Sequence, residues 1–360
     1  MAMTTSIREE LEAREAATLS PFAALAKNSR GRRTPEPQDA MRTCFQRDRD
    51  RIIHSKAFRR LMHKTQVFLS PVGDHYRTRL THSLEVMQLS RSIARGLNLN
   101  EDLAEAIALG HDLGHSPFGH SGESALSEAL ASYEPGARFI HSEQSLRVVT
   151  CLERRGDKVG LNLNEEVLDG IAKHSKHKGA LAGYHDIPFT LEGQIVRYCD
   201  RLAYINHDID DAIRAGVIAE ADLPRPAVET LGSRGSSRIG TAVNDVIMQC
   251  HGKNEIRLSA PVLEAVETIK TFMFERVYLN EAAKKQEPKA QNIVKKLFDY
   301  YMEHPAELPD EFARGADPGD SPARRVCDYI AGFTDRFAIK RYRELFVEPA
   351  ESQVPKEWDV

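Results

Sequence analysis

No run of apolar residues in this 360-residue chain approaches the roughly 20 needed to span a bilayer, so no membrane partner is expected. The opening stretch, MAMTTSIREELEAREAA, is acidic and lacks the apolar segment of a secretory signal. Cysteine is sparse and dispersed: Cys44, Cys151, Cys199, Cys250 and Cys327 form no C-x-x-C pair. That pattern argues against a disulfide framework or a thiolate zinc cluster and fits reduced thiols in the cytoplasm. Global basicity is also missing, since the net charge is −4, so composition alone does not point to nucleic acid. There is no internal repeat and no low-complexity tract. Alternating strand patterns are scarce, with only a short hairpin expected near residues 64–78.

What is present is a soluble-type composition, 41% hydrophobic and 28% charged, enough for a sizeable core in one large domain or two modest ones. Helical periodicity dominates, and the fold expected is all-α. In EDLAEAIALGHDLGH, Leu103, Ile107 and His111 recur at i, i+4 and i+8, which brings His111 to the buried side of a helix. LEGQIVRYCDRLAYINHDIDDAIRAG carries a core stripe of Ile195, Cys199, Leu202, Ile209 and Ile213 and stops at Gly216. Further helices are read at THSLEVMQLSRSIARGL, PVLEAVETIKTFMFERVYLN and SPARRVCDYIAGFTDRFAIKRYRELF, with loops at 133–138, 222–240 and 304–322. Residues 1–40 read as a flexible N-terminal arm, 41–216 as the body, and 217–360 as a helical C-terminal region packed on it. Between Lys27 and Lys64 twelve Lys/Arg face four Asp/Glu. This excess is either a basic surface paired with acidic segments elsewhere or a site for a polyanion, such as substrate phosphates, a regulatory nucleotide or single-stranded nucleic acid.

Histidine is present in a high number for its type: fourteen in all, three of them within GHDLGHSPFGHSGE (110–123). An adjacent His111-Asp112 pair on a buried helix face is costly as packing, because a buried carboxylate must be paired or protonated. A divalent cation removes the difficulty, and imidazole with carboxylate suits Mn, Mg, Fe, Ni or Zn. Two ligands do not hold a catalytic ion, and two more are at hand. His82 opens the preceding helix, and Asp200 sits mid-helix beside a core stripe. The set His82, His111, Asp112 and Asp200 leaves room for water and a substrate oxygen. Taken singly, His111 reads as a hydrogen-bonded core histidine and Asp200 as an ion-pair member; the combination carries the metal reading.

The pattern H…HD…D resembles the HD-domain metal-dependent phosphohydrolases. The stretches FQRDRDRIIHSKAFRRLMHKTQVF, RTRLTHSLEV, GHDLGHSPFGHSGE, FIHSEQSLR, CDRLAYINHDIDDA and VCDYIAGFTDRFA narrow the resemblance to the deoxyguanosine triphosphate triphosphohydrolases in their shorter bacterial form. The resemblance implies a helical HD-domain fold, often a homo-oligomer (tetramer or hexamer), which cleaves a dNTP to deoxynucleoside and inorganic triphosphate. It makes His82, His111, Asp112 and Asp200 the metal ligands and His115 and His120 catalytic, with Glu123 a proton-relay partner of His120. Arg79 would hold phosphate, Gln66 would face the sugar 3′-hydroxyl and Val67 would crowd the 2′ position. Arg201, Tyr204 and Asp208 would line the triphosphate and sugar pocket, with Lys270 and Tyr278 from a later helix. His141 and Glu143 compete for one role.

The residues themselves agree with this reading. Asp200, Tyr204 and Asp208 are spaced i, i+4, i+8, Arg79 lies three residues before His82, and His120 follows a Pro-Phe-Gly turn. Histidine is also suited to protonating an alkoxide leaving group near neutral pH. Two other classes stay open. One is a different HD phosphohydrolase, acting on nucleoside monophosphates, cyclic nucleotides or (p)ppGpp. The other is a non-enzymatic nucleotide- or single-strand-binding protein using the basic stretch.

Overall fold

Helices begin where short polar side chains cap them. Ser6, Thr43, Ser55, Thr78, Asn100, Thr190, Ser321 and Thr334 each accept a first-turn backbone N–H, satisfying donors that the helix cannot. The computed structural model describes residues 6–65, 77–175, 187–278 and 287–347. In chain order the helices are α1 (Ile7–Thr18), α2 (Cys44–Ile53), α3 (Lys56–Arg60), α4 (Arg79–Gly96), α5 (Glu101–Gly110), α6 (Gly119–Tyr133), α7 (His141–Arg147), α8 (Glu165–Ala172) and α9 (Leu191–Arg214). They continue with α10 (Arg225–Leu231), α11 (Gly235–Cys250), α12 (Ala260–Met273), α13 (Glu287–Glu303), α14 (Asp310–Ala313), α15 (Pro322–Ala331) and α16 (Asp335–Phe346). The fold is all-α. No helix among the described residues is long and apolar enough to cross a membrane.

Apolar side chains gather in two clusters. The larger joins α2, α4, α5, α8, α9, α11 and α12 around Ile93, Leu103, Ile107, Val196 and Ile209. The second packs α6 against α13, α15 and α16 around Leu126, Leu130, Phe298 and Tyr301. The region after 217 therefore divides between both. The α9 stripe lies as its spacing requires: Ile195, Cys199, Leu202 and Ile209 are buried, and Gly216 closes the helix at φ +68°, a conformation glycine adopts without penalty.

Three local expectations are corrected. The stretch expected to be a flexible arm is bonded to the body over much of its length. Ser6 and Glu9 form a reciprocal cap on α1. Ala24 N–H donates to Glu192, Ser29 Oγ and Arg30 N–H to Glu166, and Arg32 to Asp48. Polar, basic composition gave the arm reading, yet these donors meet buried carboxylates more than a hundred residues away, apart from Asp48. Arg42, Arg47, Arg49 and Arg51 also pair with Asp39, Asp50, Glu36, Asp102 or Glu105. The loop expected over 222–240 contains α10 and the start of α11, since Pro224 caps one helix rather than breaking the chain. The hairpin near 64–78 is reduced, among the described residues, to one antiparallel bridge between Thr65 and Thr78. A two-stranded hairpin sits instead at β1 (Arg154–Arg155) and β2 (Lys158–Val159). Its RRGDKV sequence has no apolar alternation to reveal it.

Glycine fixes one crossing that bears on the site. A Cβ on Gly114 would lie 2.1 Å from the backbone nitrogen of Ser145 on α7. Ser145 Oγ accepts from Gly114 N–H at 2.9 Å and donates to the His111 carbonyl at 2.6 Å. Gly114→Ala should therefore destabilise the protein by about 3 kcal/mol, at the upper end for overpacking, because backbone rather than a side-chain tip must move. Gly240, inside α11 with open space around its Cβ position, is the control: Gly240→Ala should gain roughly 0.5–1 kcal/mol. Chemical denaturation midpoints at constant m-value check both.

Candidate active site

The residues that anchor α4 to the core also deliver the first site groups. Its buried positions are Arg79, His82, Ser83, Val86, Leu89, Ser90 and Ile93, then Ala94, a three-to-four-residue stripe that carries His82 inward with Val86. His111 caps the C-terminal end of α5, wholly buried, and Asp112 follows in the turn. Asp200 projects from α9. His82 Nε2 lies 3.0 Å from Asp200 Oδ1 and 3.9 Å from Asp112 Oδ2. His111 Nε2 lies 3.3 Å from Asp112 Oδ1 and 3.6 Å from Asp200 Oδ1. Ligand atoms of His82, His111 and Asp112 all fall within 4.8 Å of one another.

This donor set fits a divalent cation. His111 Nδ1 donates to the Ala108 carbonyl at 2.6 Å, so its proton is on that nitrogen. The buried Nε2 has no hydrogen-bond partner and faces two carboxylates. A ring nitrogen facing the cation position and fixed by a bond on the opposite side is how ligand histidines are held, with a bound cation taking the place of its proton. The local field is negative. Although burial opposes it, His111, His115 and Arg79 hold Asp112 well below the usual carboxylate range. Asp200 is lowered in the same way, against its burial, by His111 and His82. Burial works against a proton on His111, yet Asp112 and Asp200 raise its imidazole to about 9. The pocket attracts positive charge.

A second row of groups runs outward from Asp112. His115 Nε2 is 3.1 Å from Asp112 Oδ1, and the His115 ring stacks on His141 at 4.0 Å. His141 Nδ1 meets Glu123 Oε1 at 3.0 Å, and Glu123 Oε2 lies 3.7 Å from His120 Nδ1. His120 Nε2 reaches the Tyr204 hydroxyl at 3.3 Å. Burial, with Arg79 and His141, pushes His115 well below the ordinary imidazole range. Burial opposes ionisation of Glu123, but His120 and His141 hold it far below the usual range. Both rows open into one cavity of about 410 Å³, whose wall also carries Arg79, Arg197, Arg201 and Lys270. Glu267 ties two of these cations together, 2.9 Å from Arg201 and 3.0 Å from Lys270.

Two family models match the chain: the HD domain over residues 79–205 and the phosphohydrolase-associated domain over 256–344. A deoxyguanosinetriphosphate triphosphohydrolase-like protein of Caldanaerobacter subterraneus subsp. tengcongensis is 52% identical over 341 residues, covering 95% of this chain and 96% of that protein. A protein of the same name from Desulfatibacillum aliphaticivorans is 48% identical over 353 residues, covering 95% and 98%. The chain belongs to the deoxyguanosinetriphosphate triphosphohydrolase-like family. Among solved structures, a phosphohydrolase from Bacteroides thetaiotaomicron shares the fold at a TM-score of 0.50 and 17% identity, over 88% of this chain and 71% of that one. As a member of this family with an HD domain, the protein is a metal-dependent phosphohydrolase, and the His/Asp cluster is suited to the ion.

Within this family member, the structure gathers most of the expected residues. His82, Asp112, His115, His120, Asp200, Arg79, Arg201, Tyr204 and Lys270 line the cavity, and His111 and Glu123 lie directly behind it. Asp208 does not line it: the side chain is fully buried. Of His141 and Glu143, His141 lines the cavity while Glu143 lies out by Arg138. Gln66 and Val67 lie outside the described residues, as does the Tyr278 side chain. Sequence reasoning missed Arg197 and His174. Arg197 precedes Arg201 by four residues on the same helix face, a spacing that would have found it. His174 is buried, bonded through Nδ1 to the Ile171 carbonyl, and its ring is 5.0 Å from His111. Burial, with His111 and His141, pulls it down to about 3.

The turn that carries His120 is strained and externally held. Phe118 sits at φ +63° and Gly119 at +56°, unfavourable for phenylalanine unless the surroundings impose it. Asp335, the first residue of α16, accepts from Phe118 N–H at 2.9 Å through one oxygen and from Thr65 N–H at 2.9 Å through the other. Lys64 Nζ donates to the carbonyls of His115 and Ala331, and burial pulls this ammonium down to about 7. Asp335 thus holds this segment at Phe118 directly, and Lys64 ties its His115 end to the C-terminal region through Ala331. Asp335→Ala leaves buried donors unmet and should destabilise by about 1–3 kcal/mol. Amide exchange at Phe118 and Gly119 should accelerate while that of α4 and α5 is unchanged, measured by hydrogen–deuterium exchange. Uniform acceleration would remove Asp335 from this role.

Proposed function

We propose that the protein is a dNTP triphosphohydrolase, converting a dNTP (dGTP by the names of its relatives) to deoxynucleoside and inorganic triphosphate. One observation carries this reading. A single cavity combines a cation-binding floor of His82, His111, Asp112 and Asp200 with the His120–Glu123 pair and the cationic side chains Arg79, Arg197, Arg201 and Lys270. A divalent cation held there would polarise a phosphoryl oxygen and lower the pKa of a bound water.

The chain's own groups then divide the remaining work. A triphosphate product carries about four negative charges near neutral pH, and Arg, Lys and metal are the groups that retain such charge. Arg79, Arg201 and Lys270 supply it, the last two pre-positioned by Glu267. Attack at the α-phosphorus expels the nucleoside 5′-oxygen, a poor leaving group that needs a proton as the bond breaks. His120, 65% exposed to the cavity mouth and backed by Glu123, is placed to give that proton to O5′. Glu123 stabilises the imidazolium before transfer, and His141, on the same carboxylate, keeps Glu123 oriented. His115, pinned to Asp112 on one side and stacked on His141 on the other, couples this pair to the floor. Attack at the γ-phosphorus would expel a stabilised diphosphate and have little use for such an acid.

Two outcomes test the proposal. In oxygen-18 water the label should enter inorganic triphosphate and leave the deoxynucleoside unlabelled; label in orthophosphate or pyrophosphate would overturn it. In the same assay His120→Ala should lower kcat by about 10²–10⁴-fold with little change in substrate affinity, the range for loss of a general acid. Separately, Asp112→Ala and His111→Ala should lose bound Mn²⁺ and activity together while circular dichroism stays helical. Elemental analysis showing full occupancy in both variants would sink the ligand assignment.

A further inference from the structure

His82 has a partner on its far side that none of the above uses. The ring nitrogen opposite Asp200, Nδ1, meets Nδ1 of His207 at 3.4 Å. The two rings stand edge to face, 5.5 Å apart at 86°. His207 is 2% exposed and lies two turns beyond Asp200 on α9, so one helix supplies both neighbours of His82. The other nitrogen of His207, Nε2, contacts the carboxylate of Glu85, one turn after His82 on α4. Glu85 is itself partly exposed and sits 3.5 Å from Arg77 Nε.

Two facing Nδ1 atoms need one proton between them, and the chemistry at the other ends decides which ring carries it. If His82 Nε2 holds a cation, that nitrogen has no proton, so Nδ1 must bear it and donate to His207 Nδ1. His207 must then carry its own proton on Nε2, which donates to Glu85. No other assignment leaves every buried nitrogen satisfied with a cation bound. We propose that His207 and Glu85 form a positioning relay, Glu85–His207–His82, that fixes the tautomer and orientation of His82 for cation binding. His111 achieves the same with a helix carbonyl, Ala108 O, at 2.6 Å. A carboxylate-ended relay does more than a carbonyl, since it also raises the basicity of the ligand. This inference rests on His82 being a metal ligand.

The test is Mn²⁺ binding by the full chain, titrated calorimetrically after EDTA treatment, without any substrate. His207→Phe keeps the ring volume and removes both nitrogens; Mn²⁺ affinity should fall about 10–100-fold, the usual cost of losing an outer hydrogen-bond partner. His207→Asn, whose Oδ1 can accept from His82, should recover most of that loss. Glu85→Gln, at a partly exposed position, should weaken binding by up to about tenfold and leaves a readout if the His207 variants fail to fold, which circular dichroism of the metal-free proteins establishes. His82→Ala calibrates the scale by losing the site. Wild-type affinity in both His207→Phe and Glu85→Gln, with His82→Ala inactive in binding, would overturn the relay. Equal losses in the Phe and Asn variants would make His207 a packing residue and overturn it as well. Wild-type affinity in His82→Ala would instead overturn the ligand assignment, and the relay with it.

Discussion

A single buried carboxylate, Asp112, organises this molecule. Its side chain is 5% exposed and is met by Arg79 at 2.9 Å, His115 at 3.1 Å and His111 at 3.3 Å, with His82 at 3.9 Å. Removing a carboxylate from water costs several kcal/mol even after relaxation, and the cost is recovered only if the surrounding charges and hydrogen bonds are well placed. That requirement reaches across the fold. It bears on the rotation of α4, which presents Arg79 and His82 together, and on the end of α5, which stops so that the neighbours His111 and Asp112 turn toward the same space. It also bears on the approach of α7, whose Ser145 holds the intervening turn through Gly114 and the His111 carbonyl. Net positive demand is built in, because Asp200 adds a second carboxylate to the same space.

How much of this was legible in the sequence follows from the range over which each residue finds its partner. His111 was readable because Leu103 and Ile107 set a helix face and the histidine falls on it. Arg79, His82 and Tyr204 had support from spacing, each lying within about one turn of another site residue, whereas Arg201 came only through the family resemblance. Asp208 was not. An α-helix turns about 100° per residue, so each four-residue step overshoots by about 40° and two steps carry Asp208 about 80° away from Asp200, into the packing rather than the cavity. The N-terminal stretch failed for the opposite reason. Nothing local marks Ser29, Arg30 or Arg32 as structured, because the carboxylates that bind them belong to α8 and α2.

The two apolar clusters explain why the site has two rows. The proposed cation ligands are drawn from α4, the end of α5 and α9, all rooted in the larger cluster. His120 and Glu123 belong to the first turn of α6, whose apolar face instead packs into the second cluster with α13, α15 and α16. The turn between, with its left-handed Phe118, spans the seam. Lys64 and Asp335 bind that turn from both sides, and each also reaches the other cluster through Ala331 or Thr65. A region matched as phosphohydrolase-associated is thereby part of what holds His115 and His120 in place.

This arrangement separates two demands that conflict within one rigid core. A cation site needs fixed donors, and His82, His111 and Asp112 are buried, with nitrogen atoms oriented by Ala108 on one side and His207 on the other. A proton donor must meet a leaving group that arrives and departs, and His120, the acid proposed above, is exposed and tethered through Glu123 rather than packed. The two are seated on different clusters and meet through His115, which is paired with Asp112 on one side and stacked on His141 on the other. The strained turn is tied across the seam by the Asp335 and Lys64 contacts, which help to offset its energy. The position of His120 is therefore linked to the C-terminal helices through Asp335 and Lys64, while the proposed cation ligands stand on or beside helices of the larger cluster.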